Sequence, residues 1–237
     1  MSALSELQRH LTKYWALPYH QDAELNTKLN EVQAWQRARI QRTHSALFEQ
    51  PKNKPMADYF LTQLYGGDEF KLLAEQLERI LPKAKKLERL AKESALETGS
   101  MAIQAAILAI ELDMHLAQWL VSNELTVNEN NMLAAYREVD EAAERRIQIG
   151  NLKEVCYRTD KYLNSFVLRK AFGLAKGTAY RHGYQPLYDF IDAGFAAMKP
   201  LKSVSGFIDP FCELELTIID RVHQADNGSD TSVFEVS

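Results

Sequence analysis

Two helix-spaced pairs of acidic residues and histidines are the first candidates for chemistry in this sequence. Glu111 and His115 are four residues apart, and Asp220 and His223 are three residues apart, so each pair shares one face of a helix. Helical bundles build two-metal sites from carboxylates and histidines that project inward from facing helices. A metal-dependent bundle enzyme is therefore one hypothesis, although only the second pair has the carboxylate-x-x-His spacing. The alternative is a local contact for the first pair and a solvated helix end for the second.

A second candidate site is a basic and aromatic segment at residues 157–195. It holds nine of the 23 aromatic residues of the chain. Arginine binds phosphate or carboxylate through two nitrogens while aromatic rings stack on flat or apolar groups, so the segment predicts an anionic small molecule or an acidic protein partner. The alternative is that these aromatic residues pack in the helical core. The residues assigned to the binding site are Arg158, Arg169, Tyr180, Arg181 and Tyr184.

Nucleophilic catalysis has no recognisable motif here. The sequence contains no Gly-x-Ser-x-Gly, no His-Glu-x-x-His and no cysteine–histidine signature. Cys156 and Cys212 stand far apart without neighbouring metal ligands, which indicates reduced, structural thiols. With 28 basic and 32 acidic residues the net charge is −4, which does not favour nucleic acid as a partner. These observations favour a non-enzymatic ligand-binding or interaction protein without a cofactor.

The elements that must position these residues are helices. Apolar residues recur at spacings of three and four, and no segment alternates convincingly at a period of two. Ile103, Ile107, Ile110 and Met114 continue such a stripe in a segment with few polar residues, which predicts a buried central helix at Ala102–Val121. The predicted fold is an all-α, single-domain bundle of about eight helices.

The distribution of charge bears on the compartment. The uncharged stretch Thr98–Ile110 has 13 residues, fewer than the roughly 18 that a membrane span needs. Residues Met1–His10 are polar and amphipathic and lack the apolar block of a secretion signal. We therefore expect a cytoplasmic protein without a membrane partner. A homodimer is expected because twofold dimers are the commonest oligomers.

Breaker residues divide the chain into three parts. Pro51 and Pro55 bound a polar connector, so residues 1–50 are predicted to form an N-terminal helical hairpin or arm. Residues 56–224 would form the main bundle, and residues 225–237 a flexible tail. Trp15 and Trp35 of the hairpin either anchor a partner subunit or fold back on the same core.

Two helix starts are predicted from local signals. Thr126 and Glu129 have the spacing of a capping box, which predicts a helix from Thr126 with an apolar stripe as far as Ile147. The next stripe begins after Gly150. Asp209-Pro210 is typical of an N-cap followed by the first helical position, so the last helix is predicted to begin there.

The segment Tyr59-Phe-Leu-Thr-Gln-Leu-Tyr65 resembles the signature of an uncharacterised family of bacterial all-helical proteins named for an FFLEELY motif. The likeness extends to Ala105–Leu120 and to residues 188–198. It implies an all-helical fold and a bacterial origin, and it implies no activity. Thr62-Gln63 replaces the two glutamates of the motif, so chemistry by such an acidic pair is excluded here. We interpret the motif as a packed helical face that ends in a turn, with Tyr59, Phe60, Leu64, Tyr65 and Gly66.

Overall fold

A computed structural model describes residues 2–64, 67–82, 93–224 and 230–235. Over these ranges the chain forms eleven α-helices and no strand, which confirms the all-α class. The count exceeds the expected eight partly because α3 and α4 are very short. A π-helical segment, Phe60–Leu64, follows α4. The helices are α1 (Ala3–Trp15), α2 (Ala23–Thr43), α3 (Ser45–Phe48), α4 (Lys54–Tyr59), α5 (Gly67–Ile80), α6 (Glu93–Ser122), α7 (Glu129–Val139), α8 (Ala142–Leu163), α9 (Phe166–Arg181), α10 (Gln185–Met198) and α11 (Ser205–His223).

The centre of the fold is α6, which contains the predicted central helix and extends it at its amino end. The helices α1, α2, α7 and α8 all pack against it. Its stripe of Ile103, Ile107, Ile110 and Met114 is buried, as is Ala117. By length and composition alone, α6 is the one helix among the described residues that could cross a membrane. In this fold four helices pack along it.

The N-terminal hairpin folds back onto the main bundle. Leu11 of α1 and Leu29 of α2 belong to the same buried cluster as Ile107 of α6. Both helices begin at a side-chain cap, since Ser2 and Asp22 accept hydrogen bonds from backbone amides of the first turn. Within this single chain, Trp15 and Trp35 also pack against that cluster.

A second buried cluster joins α3, the motif segment and α11. Phe60 packs edge-to-face against Phe211 with ring centroids 5.1 Å apart. Phe48 stacks on Phe207 at 5.8 Å, and His44 stacks on Phe211 at 4.4 Å. All five side chains are buried. The aromatic residues of the motif segment therefore serve as packing elements between helices.

Two predicted boundaries in the middle of the chain are wrong. α7 begins at Glu129 and not at Thr126, because Asn128 is the N-cap and accepts from the amide of Asn131 at 3.0 Å. The helix then ends at Asp140, which adopts a left-handed conformation with φ of 50°. Aspartate tolerates this conformation better than most residues do. α8 continues through Gly150 without a break.

The predicted start of the last helix is also wrong. α11 begins at Ser205, five residues before the predicted first helical position, so Pro210 lies inside the helix. Asp209 is not the N-cap, because its carboxylate accepts a hydrogen bond from Tyr157 and pairs with Lys153 at 2.9 Å. The side chain that the sequence suggested as a cap instead connects α11 to α8.

Part of the predicted flexible tail packs in the core. Residues 225–229 and 236–237 lie outside the described residues. Thr231–Phe234 forms a 3₁₀ turn in which Val233 and Phe234 are buried. The Phe234 ring lies 5.1 Å from that of Trp35, and its carbonyl accepts from Thr43 Oγ1. This end of the chain is therefore part of the folded bundle.

Candidate functional site

The interior of the bundle contains charged side chains where an apolar core would be expected. Arg39 of α2 donates to Glu215 of α11 over 2.5 Å, and His44 Nε2 donates to the same carboxylate oxygen over 2.7 Å. All three side chains are buried. Arg39 also donates to the amide oxygen of Gln36 at 3.4 Å. Buried ions persist only where charges and hydrogen bonds compensate their loss of water, and this arrangement supplies both.

Gln36 extends this network to a second ion pair. Its amide nitrogen donates to Asp113 of α6 at 3.2 Å and to the hydroxyl of Tyr136 of α7. Both terminal nitrogens of Arg145 of α8 donate to Asp113 at 3.2 Å. The guanidinium carbon of Arg145 also lies 4.8 Å from the centroid of the Tyr136 ring. One connected network thus joins α2, α6, α7, α8 and α11.

A cavity of about 120 Å³ opens onto this network. The buried polar part of its lining, which we call the ionic floor, consists of residues from four helices. The remaining lining is mostly apolar, and the part contributed by α6 consists of small residues that we call the alanine wall. The floor residues are Gln36, Arg39, Tyr136, Arg145 and Glu215. The alanine wall is Ala102, Ala105, Ala106 and Ala109.

The burial of the lining changes along the cavity. The five residues of the ionic floor are buried, whereas the alanine wall and the facing Leu152, Val155 and Ile219 are only half-buried. The half-buried lining is thus mostly apolar, with Gln148 and His223 as polar members, and the buried lining combines the charged floor with apolar side chains such as that of Phe211. Apolar pockets with a few converging polar groups are typical of small-molecule sites.

The charges at the cavity surface are unequal. The lining includes the guanidinium groups of Arg39 and Arg145, but only one of the two carboxylates that pair with them, that of Glu215. Asp113, the partner of Arg145, lies outside the cavity lining. Asp113 compensates the charge of Arg145 from 3.2 Å away, so the two arginines favour an anionic group as hydrogen-bond donors.

The protonation of Glu215 predicts how the free energy of unfolding depends on pH. Burial is the largest influence and raises its pKa, but the charge of Arg39 and the hydrogen bonds from His44 and Arg39 lower the pKa to about 2. A glutamate in the unfolded chain has a pKa of about 4.3. Because the pKa of Glu215 is lower in the folded chain, the stabilisation by its ionised carboxylate is present above about pH 4.3 and is lost as the pH falls towards 2.

We expect the free energy of unfolding to fall between about pH 4.3 and pH 2 less steeply for Glu215→Gln than for the native chain. Parallel curves from urea unfolding at several pH values would contradict this expectation.

The structure does not bring the predicted basic and aromatic residues together in a pocket. Arg158 pairs with Glu154 at 2.7 Å and approaches Glu97 at 3.9 Å. Tyr180 donates to Asp189 at 2.6 Å. Arg169 and Arg181 are exposed on α9, and Tyr184 is half-buried just before α10. None of these five predicted residues contributes to the cavity lining.

The four residues of the metal hypothesis also pair with separate partners. Glu111 accepts from Lys13, and Asp220 accepts from Arg146, each at 2.6 Å. His115 and His223 contact the consecutive carboxylates Glu141 and Asp140 at the junction of α7 and α8. Over the described ranges, the structure contains no group of three or more histidine, cysteine, aspartate or glutamate residues placed to hold a metal ion. The geometry therefore gives the metal hypothesis no support.

The two cysteines are buried thiols. Burial raises the pKa of Cys156 and that of Cys212 to about 12. The thiolate is the reactive form of cysteine, and a pKa this high keeps both side chains protonated near neutral pH. The sequence-based interpretation of both cysteines as structural agrees with these positions.

The motif residues that the structure describes lie in packed positions. The Tyr59 hydroxyl donates to the carbonyl of Phe190 at 3.1 Å, and its ring lies against Gly194. A Cβ at Gly194 would be 2.9 Å from the Tyr59 hydroxyl, so this close approach requires glycine. Phe60 lies in the buried cluster and also lines the cavity. Tyr65 and Gly66 lie outside the described residues, and for Leu64 only the backbone is described.

The network residues were not predicted from the sequence, although the sequence carries a signal for them. Gln36 and Arg39 continue the apolar spacing of Leu29 and Val32 on α2. Glu215 likewise falls between Phe211 and Ile218 on the buried stripe of α11. Polar residues at core positions of several helices indicate that they meet one another, because an isolated buried charge is too costly.

The fold and the site together define a class: an all-helical protein with an apolar cavity that ends at a buried ionic floor. A family model described as a domain of unknown function (DUF8198) matches residues 16–229, and the chain therefore belongs to this family. A search of curated proteins and a search of solved structures each found no match to the chain. Because the family description assigns no function, we infer function from the geometry of the cavity.

Proposed function

We propose that this protein binds a small molecule with an apolar body and a carboxylate head in the cavity above the ionic floor. The observation that carries the proposal is the combination of a mostly apolar, half-buried lining with two buried arginines. The apolar body would lie along the alanine wall, where its burial is favourable. The carboxylate would accept hydrogen bonds from Arg39 and Arg145.

The volume of the cavity limits the size of the ligand. Its volume of about 120 Å³ is comparable to that of an engineered protein cavity of about 150 Å³ that holds benzene. A body of roughly that size, such as a short alkyl chain or one aromatic ring, fits the apolar part. The methyl side chains of the alanine wall leave this space open, and larger residues at the same positions would fill it.

The proposal is one of binding and not of catalysis. Glu215 is the carboxylate in the floor, and its lowered pKa of about 2 makes it a weak base at neutral pH. Arg39 and Arg145 remain charged and serve as hydrogen-bond donors. These groups suit recognition of an anion, since none of them exchanges protons readily near pH 7.

Calorimetric titration of the full chain with straight-chain carboxylates from butanoate to decanoate tests the proposal. We expect one member of the series to bind best, because the cavity has a limited volume. Each carboxylate should bind about 10- to 100-fold more tightly than the matching primary alcohol. The difference corresponds to charge-assisted hydrogen bonds of about 1.5–3 kcal/mol. Absence of binding across the series, or equal affinity for acids and alcohols, would overturn the proposal.

A matched pair of variants locates the binding. Ala106→Phe would fill the cavity from α6, and we expect it to weaken carboxylate binding by about 100-fold or more, because the ligand loses its apolar contacts. Ala38→Phe makes the same substitution on the exposed face of α2 and should leave affinity unchanged. Equal effects of the two variants would place the ligand elsewhere.

Three predictions from the sequence concern the setting of this function. Membership of the bacterial family named for the FFLEELY motif is supported by the segment Tyr59–Tyr65. A cytoplasmic location is supported by the two buried cysteines, which are not joined in a disulfide. A homodimer is supported only by the frequency of twofold oligomers. We retain them as parts of the proposal.

A further inference from the structure

Helix α9 differs from the other long helices because it buries none of its 16 residues. Phe166, Val167 and Leu174 are 70%, 69% and 75% exposed. Phe166, Lys170, Leu174 and Arg181 are separated by four, four and seven residues, so they lie on one face. We call these four residues, with the adjacent Val167, the outer face of α9. Large apolar side chains concentrated on one exposed face indicate an interaction surface.

The opposite face of α9 is fixed to the bundle. Phe172 stacks on Tyr188 of α10 with ring centroids 4.3 Å apart, and it meets Phe195 edge-to-face at 4.9 Å. Tyr180 donates to Asp189 of α10 at 2.6 Å. The helix is therefore held by its inner residues, and this contact directs Phe166, Val167 and Leu174 away from the bundle.

The charge around the outer face has one sign. Residues 161–188 include five lysines and arginines and no aspartate or glutamate, in a chain with a net charge of −4. Lys170 and Arg181 form no ion pair with any residue that the structure describes, in contrast to Arg158 on α8. The outer face is thus both apolar and basic, which complements an anionic surface.

We propose that the outer face of α9 binds the surface of an anionic phospholipid membrane. The three apolar side chains would enter the boundary between headgroups and acyl chains, while Lys170 and Arg181 contact the phosphates. A lipid surface fits better than a folded partner because these side chains protrude from a single helix, and lipids adapt to such a surface without a complementary groove. The expectation of no membrane partner rested on the length of the uncharged stretch, and binding at the surface needs no such stretch.

Co-sedimentation of the full chain with phosphatidylcholine vesicles, with and without phosphatidylserine, tests this assignment. We expect binding only to the vesicles that contain phosphatidylserine, and weaker binding as the salt concentration rises. Lys170→Glu with Arg181→Glu should reduce the partition coefficient about 25-fold or more, because each cation near an anionic surface contributes about fivefold. Leu174→Ser should reduce it about tenfold through loss of buried apolar surface.

Two control variants test whether loss of vesicle binding is specific to the outer face of α9. Ile147→Ser removes an apolar side chain that is 56% exposed on α8, and Lys52→Glu reverses an exposed charge far along the chain from α9. Both should bind vesicles like the native chain. Failure to bind phosphatidylserine vesicles, or equal losses in the control variants, would overturn the proposal. It would also be overturned if the Leu174→Ser variant abolished a dimer observed without lipid, because a second copy would then cover the outer face.

Discussion

Replacing Glu215 by alanine is expected to lower the free energy of unfolding by about 3–5 kcal/mol. Glu215 accepts hydrogen bonds from both Arg39 and His44 in the buried core. The variant removes the carboxylate that compensates the Arg39 guanidinium in a region of low polarity, and this loss costs more free energy than the missing side-chain atoms do. Urea unfolding monitored by circular dichroism measures the effect.

A double variant distinguishes loss of charge compensation from loss of packing. Arg39→Met combined with Glu215→Leu removes both ions and keeps similar side-chain volumes, so it should recover at least half of the stability lost in Glu215→Ala. Full recovery is not expected, because His44 still loses its acceptor. A double variant as unstable as the single one would show that packing and not charge determines the effect.

A surface ion pair supplies the matched control. Arg146 and Asp220 join α8 to α11 at 2.6 Å, and their side chains are 45% and 56% exposed. Water and salt screen such a pair, so Arg146→Ala should cost less than about 1 kcal/mol. If Arg146→Ala and Glu215→Ala lowered the free energy of unfolding equally, the burial of the Arg39–Glu215 pair would have no effect on stability.

The double variant also connects stability with binding. Arg39→Met with Glu215→Leu changes the ionic floor from two guanidiniums and one carboxylate to a single guanidinium, Arg145. If the carboxylate of the ligand binds between the two arginines, this variant should fold and yet bind carboxylates about tenfold or more weakly. The role of the floor in recognition is thereby separated from its role in the fold.

The fold was predictable from sequence to the extent that apolar spacing determined it. The stripe Ile103–Met114 placed the central helix correctly, because a helix covered by several neighbours needs apolar residues on most of its faces. Helix ends were less predictable. Glycine at position 150 suggested a break, yet a Cβ there would meet no atom within 4 Å, and the helix passes through the position unchanged.

The break occurs ten residues earlier, and the reason is conformational. Asp140 adopts the left-handed conformation and ends α7, a state that a single aspartate reaches at modest cost when tertiary packing favours it. His223 of α11 contacts the Asp140 carboxylate, a partner more than 80 residues away in the sequence. Local signals carry no information about such a distant partner.

The candidate site was less predictable than the fold. The aromatic and basic enrichment of residues 157–195 was real, but in the structure it forms the contact of α9 with α10 and an exposed surface. The cavity instead depends on residues from five helices that are far apart in the chain. Their proximity follows from helix packing, which spacing within one helix does not specify.

Replacing Phe60 by alanine is expected to cost about 3–5 kcal/mol of unfolding free energy. Phe60 is buried against Phe211 in the cluster that joins the motif segment to α11. Tyr59→Phe is the matched variant in the same motif. It removes only the hydrogen bond to the carbonyl of Phe190 and should cost about 1 kcal/mol. Thermal and urea unfolding of both variants would measure this difference.

The same substitution has a consequence for binding, because Phe60 also lines the cavity. Loss of the ring enlarges the space, so the best-bound carboxylate should be longer by several methylene groups than for the native chain. A stable Phe60→Ala variant with unchanged ligand preference would contradict both the packing role and the assignment of the cavity. A destabilised variant that prefers a longer carboxylate would show that one motif side chain contributes both to the core and to the lining of the cavity.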